Sequence, residues 1–167
     1  MSAADATAVT TLAEEAVAAL RVRTGLLHLV FRLAESGSTV MEVDVRTLGD
    51  YILDLAYGIN WLELTLPLAL GLPLPKPPRA PVPYAASWFL APEPGRVTAV
   101  TGLAEARAHP SVVSADVRVR IGDVLSPVHS SAQRVGSVVV TAPTRAELDD
   151  VLRFIRHTLR VDMVVSE

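Results

Sequence analysis

The sequence predicts an α+β protein, an antiparallel sheet with flanking helices followed by a small carboxy-terminal α/β unit. Three observations carry this reading. Residues 26–33 and 39–46 are rich in apolar and β-branched residues on either side of Ala34-Glu35-Ser36-Gly37, the pattern of two strands and a tight turn. Asn60 with Glu63, and Thr144 with Glu147, are capping-box pairs that each open an apolar run at helical spacing. Between these two runs, residues 73–83 hold six prolines in eleven positions, the composition of a semi-rigid extended linker. The expected division is therefore a first unit over 1–72, the linker over 73–83 and a second unit over 84–167.

Taken in order, residues 5–20 read as a helix, because Val9, Leu12, Ala16 and Leu20 recur at helical spacing while Glu14 and Glu15 fall on the other face. The hairpin follows. A helix is expected over 51–57, stopped by Gly58, and another over 61–70, capped by Asn60, ended by Gly71 and loosened by the internal Pro67. Beyond the linker, 84–90 and 96–100 read as strands around Pro92-Glu93-Pro94-Gly95, and Thr101 as the cap of a short helix that stops at Pro110. Residues 112–121 alternate apolar with polar side chains and predict one strand with a wet face. Residues 137–141 read as a buried strand. The last helix opens at Thr144 with Leu148, Val151, Leu152, Ile155 and Leu159 as its core stripe, and 161–165 closes the sheet.

The hairpin gathers the candidate chemistry. With Gly37 in the left-handed position of a three-residue loop, residues whose numbers sum to 72 face each other, so Val30 lies opposite Glu42 and His28 opposite Asp44. Strand alternation then puts His28, Val30 and Arg32 on one face with Glu42, Asp44 and Arg46. Two acids, an imidazole and a guanidinium on one sheet face suit proton transfer and the binding of a carboxylate or oxyanion. The competing account is structural, with Arg46 paired to Asp44 or Asp50 and no chemistry done. Trp61, Tyr84 and Trp88 are candidates to line a pocket or fill a domain interface, and Asp50, His129 and Arg134 complete the candidate substrate-binding set. His109 and His157 fall at helix ends, where a cation favours the dipole.

Composition narrows the function classes. At 167 residues, half of them hydrophobic and a fifth charged, the chain has ample material for a core. The formal charge of −3, without a basic block, argues against a nucleic-acid partner. There is no cysteine for a disulfide, a thiolate metal site or a thiol nucleophile, and no G-x-S-x-G nucleophile elbow. Lys76, inside the proline-rich segment, is the sole lysine. No basic-then-apolar leader opens the sequence, and no apolar run reaches the roughly 18 residues of a membrane span, so a soluble cytoplasmic protein is expected.

The string MEVDVRTLGDYI followed by LAYGINWLELTLPLALG resembles the end of the ATP-grasp ligase fold, where E-V-N-P-R-L-G-G precedes a helix, an A-T-G-hydrophobic turn and a helix ending A-L-G. The second unit, through YAASWFLAP, GRVTAVTGLAEA, IGDVL and RVGSVVVT, is similar to the carboxy-terminal domain of the L-amino-acid ligase branch. The resemblance covers roughly residues 5–165. It implies that Glu42 stands where the family has its second metal-binding glutamate and Arg46 where an arginine steadies phosphate. Asp44 replaces the family's asparagine, Val45 its proline and Asp50 its second glycine. The first glutamate falls at Val30, which holds no metal.

The expectation is a fold remnant lacking the nucleotide-binding parts, with no metal and no cofactor. Its expected function is ATP-independent acid–base chemistry by His28, Glu42, Asp44 and Arg46, such as cyclisation, isomerisation or hydrolysis of an amino-acid-derived specialised metabolite. Two alternatives stand beside it, a non-catalytic binding or accessory protein and one subunit of a split ligase. An open sheet edge and an uncovered apolar face further imply a homodimer or a dedicated partner protein.

Overall fold

The structure is a computed structural model that describes residues 2–34, 37–45, 52–74, 76 and 83–164, with Ala3, Trp61 and Leu62 described by backbone only. Its contacts divide it into two compact units, residues 1–49 with 60–76, and residues 50–59 with 77–167.

The first unit begins with α1 (Ala3–Ala19), whose start is fixed by a reciprocal box: Ser2 Oγ accepts from the Asp5 amide and Asp5 accepts from the Ser2 amide. The hairpin pairs β1 (His28–Arg32) with β2 (Thr39–Asp44). His28 faces Asp44, Leu29 faces Val43 and Val30 faces Glu42, the register expected from the turn. Beyond Val30 the register shifts by one, so Phe31 faces Val40 and Arg32 faces Thr39, and Met41 is left unpaired. The reason lies in the sequence: Val40 and Val43 are three apart, and strict alternation would send them to opposite faces. One extra residue between them puts both on the side of Leu29 and Phe31, while the spare Met41 is exposed.

Within this unit, α3 (Trp61–Ala69) follows its expected cap, the Glu63 amide donating to Asn60 Oδ1 at 3.4 Å and Asn60 Nδ2 donating to Glu63 Oε1 at 2.9 Å. The helix runs on through Pro67. It ends in a Schellman pair, Leu72 N to Pro67 O and Gly71 N to Leu68 O, with Gly71 at φ 68°.

In the second unit α2 (Ile52–Tyr57) packs on β3 (Tyr84–Leu90) and β7 (Gly136–Ala142). One three-stranded antiparallel sheet has the order β3-β7-β5, with β5 at Val112–Val117. The other has the order β6-β4-β8, with β4 at Gly95–Thr101, β6 at Val124–Leu125 and β8 at Arg160–Val164. Between β4 and β5 lies α4 (Leu103–Ala108); α5 (Arg145–Thr158) lies between β7 and β8. The core gathers Leu90, Ala106, Val138, Val140, Leu148, Val151, Ile155 and Leu159, so the apolar stripe read along the last helix is the stripe that is buried. The Thr144–Glu147 box starts α5 as expected.

Two local expectations are corrected. Thr101 stays in β4, and Gly102, at φ 77°, is the N-cap of α4 without a side-chain bond. A Cβ there would meet Thr158 O at 1.9 Å, so the close approach of the α5 end excludes any side chain. The strand read over 112–121 stops at Val117. A register shift leaves Val113 unpaired and 46% exposed, and Ile121, 71% exposed, lies beyond the sheet.

Candidate functional site

The polar face of the hairpin is assembled by register alone. On it His28 Nδ1 stands 3.9 Å from Asp44 Oδ2, with both side chains half-buried. That distance is too long for a hydrogen bond and becomes an ion pair when the imidazole carries a proton. The nitrogen itself is shielded from solvent and has no hydrogen-bond partner. Such an atom calls for an explanation, because burying a ring nitrogen unsatisfied is unfavourable. Glu42, two residues before Asp44 on the same face, is exposed and opposite Val30, which offers it an apolar neighbour and no second carboxylate.

Beside the open end of the hairpin is a hollow of about 350 Å³. It is walled by Thr24, Gly25, Leu26 and Val45 and by Thr65, Leu68 and Ala69 of α3. Its lining is mostly apolar. Leu26 and Val45 are close in sequence to His28 and Asp44, though neither of those two side chains lines it. Arg46 and Asp50 lie outside the described residues, as does the side chain of Trp61. Among the described residues no group of three or more His, Asp or Glu side chains is placed to hold a metal ion.

The remaining predicted residues belong to the second unit and do not converge. Trp88 faces the core side of β3 beside α5. Arg134 stacks its guanidinium 4.0 Å from the centre of the Phe89 ring, which alternation puts on the opposite face. Tyr84 is exposed at the start of β3. His129 lies in an exposed turn organised by Gln133, whose Oε1 accepts from the amides of His129 and Ser130. His109 caps α4, accepts from the Ser111 amide through Nδ1 and lies 5.0 Å from the Phe154 ring.

One cluster is absent from the sequence-based expectations. Trp88, Leu90, Ala91 and Pro92 form one wall of a groove of about 260 Å³, and Arg156, Leu159, Arg160, Val161 and Asp162 the other. Its signal in the sequence was the pair Arg156 and Arg160, four apart with no acid at helical spacing to answer them.

Comparison with known proteins places this geometry. Residues 87–164 match the family model of L-amino acid ligase C-terminal domain 2. The L-amino acid ligase of Bacillus licheniformis superposes with a TM-score of 0.82 over 98% of this chain, at 22% identity. The chain has the fold of an ATP-grasp ligase fragment. N5-carboxyaminoimidazole ribonucleotide synthetase of Thermotoga maritima shares this ATP-grasp fold at a TM-score of 0.66 and 21% identity over the whole chain. A curated relative, the uncharacterized protein y4rH of Sinorhizobium fredii, is 26% identical over 151 residues, 89% of this chain. The chain spans 42% and 44% of the two enzymes and 31% of y4rH. The resemblance read from MEVDVRTLGDYI and from the second unit therefore holds, as does the α+β class. No helix among the described residues is long and apolar enough to cross a membrane.

Proposed function

We propose that the chain is a small-molecule enzyme on an ATP-grasp scaffold, running acid–base chemistry at the hairpin without ATP. The observation that carries this is the solvent-shielded Nδ1 of His28, without a hydrogen bond, beside the Asp44 carboxylate. In this reading Asp44 orients the imidazole and stabilises its protonated form, and His28 takes a proton from the substrate. His28 returns that proton at a second position of the substrate while Glu42, on the same face, stabilises the developing positive charge, so cyclisation or isomerisation proceeds with no net proton gained. The apolar hollow next to Leu26 and Val45 takes the hydrocarbon part of an amino-acid-derived specialised metabolite, and Arg46 holds its carboxylate. Val30 opposite Glu42 favours ATP-independent chemistry, because magnesium bound with a nucleotide draws on one or two protein carboxylates and this position supplies none.

The test is turnover of amino-acid-derived substrates by Glu42→Gln and His28→Asn. Losses on the order of 10²–10⁴-fold with unchanged circular dichroism are expected. Full activity in both variants overturns the assignment.

A second reading is favoured by the lengths of the relatives, of which this chain matches 31–44%. Here the hairpin completes a ligase whose nucleotide is held elsewhere, in another segment or chain. Amino-acid-dependent ADP release that falls in Glu42→Gln would establish it over the first. For either reading we propose that a second copy covers the exposed leucines of α3 and its C-terminal turn, Leu66, Leu70 and Leu72. Light scattering at micromolar concentration then gives the mass of a dimer, and a monomer mass refutes it.

A further inference from the structure

The chain crosses between the two units three times, because residues 50–59 belong to the second unit while 1–49 before them and 60–76 after them belong to the first. The helix of that excursion is α2, and it packs on β3 and β7. Alternation tells on which side. Ala86, Trp88, Val138 and Val140 point into the core, so Ser87 and its cross-strand partner Val139 point to the opposite face. Val139 is buried there and so is Ala56 of α2, yet neither belongs to the core cluster. α2 is therefore the cover of that outer face. Its polar groups are badly matched. Among the described residues Ser87 Oγ, on the covered face, and Asp54 Oδ1, on α2 itself, are shielded from solvent and have no hydrogen-bond partner. Each such atom opposes docking, since it gives up water without gaining a bond. The equally short α4 shows the alternative: Ala106 is fully buried and Arg107 Nε donates to Ala115 O of the neighbouring strand at 2.9 Å.

We propose that α2 is a releasable clasp, a segment that undocks from the outer face of β3 and β7 and re-docks while the core behind that sheet stays folded. Three features make the opening cheap. Helices shorter than about 12 residues are marginal alone, so a six-residue helix melts once it leaves its support. Ala56 is its one buried side chain; Ile52, Leu53, Leu55 and Tyr57 are only partly buried. Undocking also returns Ser87 and Asp54 to water. The sheet does not depend on the clasp, because β3 stays paired with β7 from Tyr84 to Leu90. With α2 docked the chain makes three crossings between the units, and with α2 released the one left is that after Lys76. This device is in the second unit and stands whether or not the hairpin is catalytic.

Native-state hydrogen exchange on the full chain reads the opening directly. The amides of Ala56 and Tyr57 report on α2, and those of β7, the middle strand of its sheet, on the core. After correction for intrinsic rates the α2 amides should exchange at least about 100-fold faster than those of β7, with little dependence on added denaturant. Ser87→Ala leaves no hydroxyl to desolvate and should slow the α2 amides about tenfold. Asp54→Ala should slow them as well, the helix propensity of alanine offsetting the acid lost from the first turn. Fraying of the helix end would not respond to a change on β3, so the Ser87 variant separates it from undocking. Protection of the β7 amides in the same spectra shows that each variant is folded. The proposal is overturned if the α2 amides exchange only through the unfolding that exposes β7, or if either variant leaves their rate unchanged or raises it.

Discussion

Every apolar side chain that is fully buried among the described residues belongs to the second unit, from Ala56 on α2 to Ile155 and Leu159 at the end of α5. In the first unit α1, the hairpin and α3 have only partly buried or exposed ones, with Leu66 at 65% and Val45 at 81%. The contrast separates two jobs that one hydrophobic composition can do. In the second unit the apolar residues sit at positions that close on each other, and they form a core. In the first they make up as large a share of the residues, but α3 spreads its leucines around its circumference and the hairpin has a single apolar face. Surface of that kind stabilises nothing until something covers it.

The sharpest way to break this comparison is to truncate one side chain in each unit. Ile155→Ala empties a fully buried site in the core and should cost about 2–5 kcal/mol in chemical denaturation. Leu66→Ala removes a group of the same size that is exposed, and should stay within about 0.5 kcal/mol. Equal losses would show that Leu66 is buried in solution, and so would locate the cover proposed above.

A second pair of substitutions sharpens the comparison at the backbone. Gly102 and Gly71 have similar positive φ, but only Gly102 has a carbonyl where a Cβ must go. Gly71→Ala, in the first unit, should cost about 1–2 kcal/mol from the left-handed backbone alone. Gly102→Ala adds the clash with Thr158 O and should cost clearly more, read as a shift in the denaturation midpoint of the second unit.

The smallest effect is expected at the start of α1. The amide and hydroxyl of Ser2 hold the Asp5 carboxyl below its usual range, the backbone hydrogen bond contributing most. A lowered folded-state pKa means that the stabilisation is complete above the unfolded value and is lost as pH falls through the folded one. The helical signal of α1 should therefore weaken slightly on acidification in the parent and not in Asp5→Asn, and an identical acid response in both would remove the cap from the account.

What could be read from the residues follows the same division. The last helix was legible because its box, its stripe and its polar face agree, and its buried residues are the ones its spacing marks. The hairpin was legible at its open end, where His28 and Val30 face Asp44 and Glu42, and misread beside the turn, where Arg32 faces Thr39 rather than Val40. The shift at Met41 has no signal in turn chemistry, because the need to bring Val40 and Val43 to one side is a demand of packing. Thr101 was misread for a related cause. Its hydroxyl suits a cap, but the approach of Thr158, more than fifty residues away, gives that place to Gly102. The candidate site was legible as one strand pair. Arg156, Arg160 and Asp162 escaped notice because they meet Trp88 only across the fold.

The unpaired Met41 makes the two parts of the hairpin unequal in what they tolerate. Length changes between Arg32 and Thr39 alter only how the chain turns round. A single residue lost or gained inside Thr39–Asp44 acts as a change of phase, sending Glu42 and Asp44 to the greasy side and Val43 to the wet one. Related sequences should thus vary freely in the connector and keep the residue count of the strand, even where the residues themselves differ.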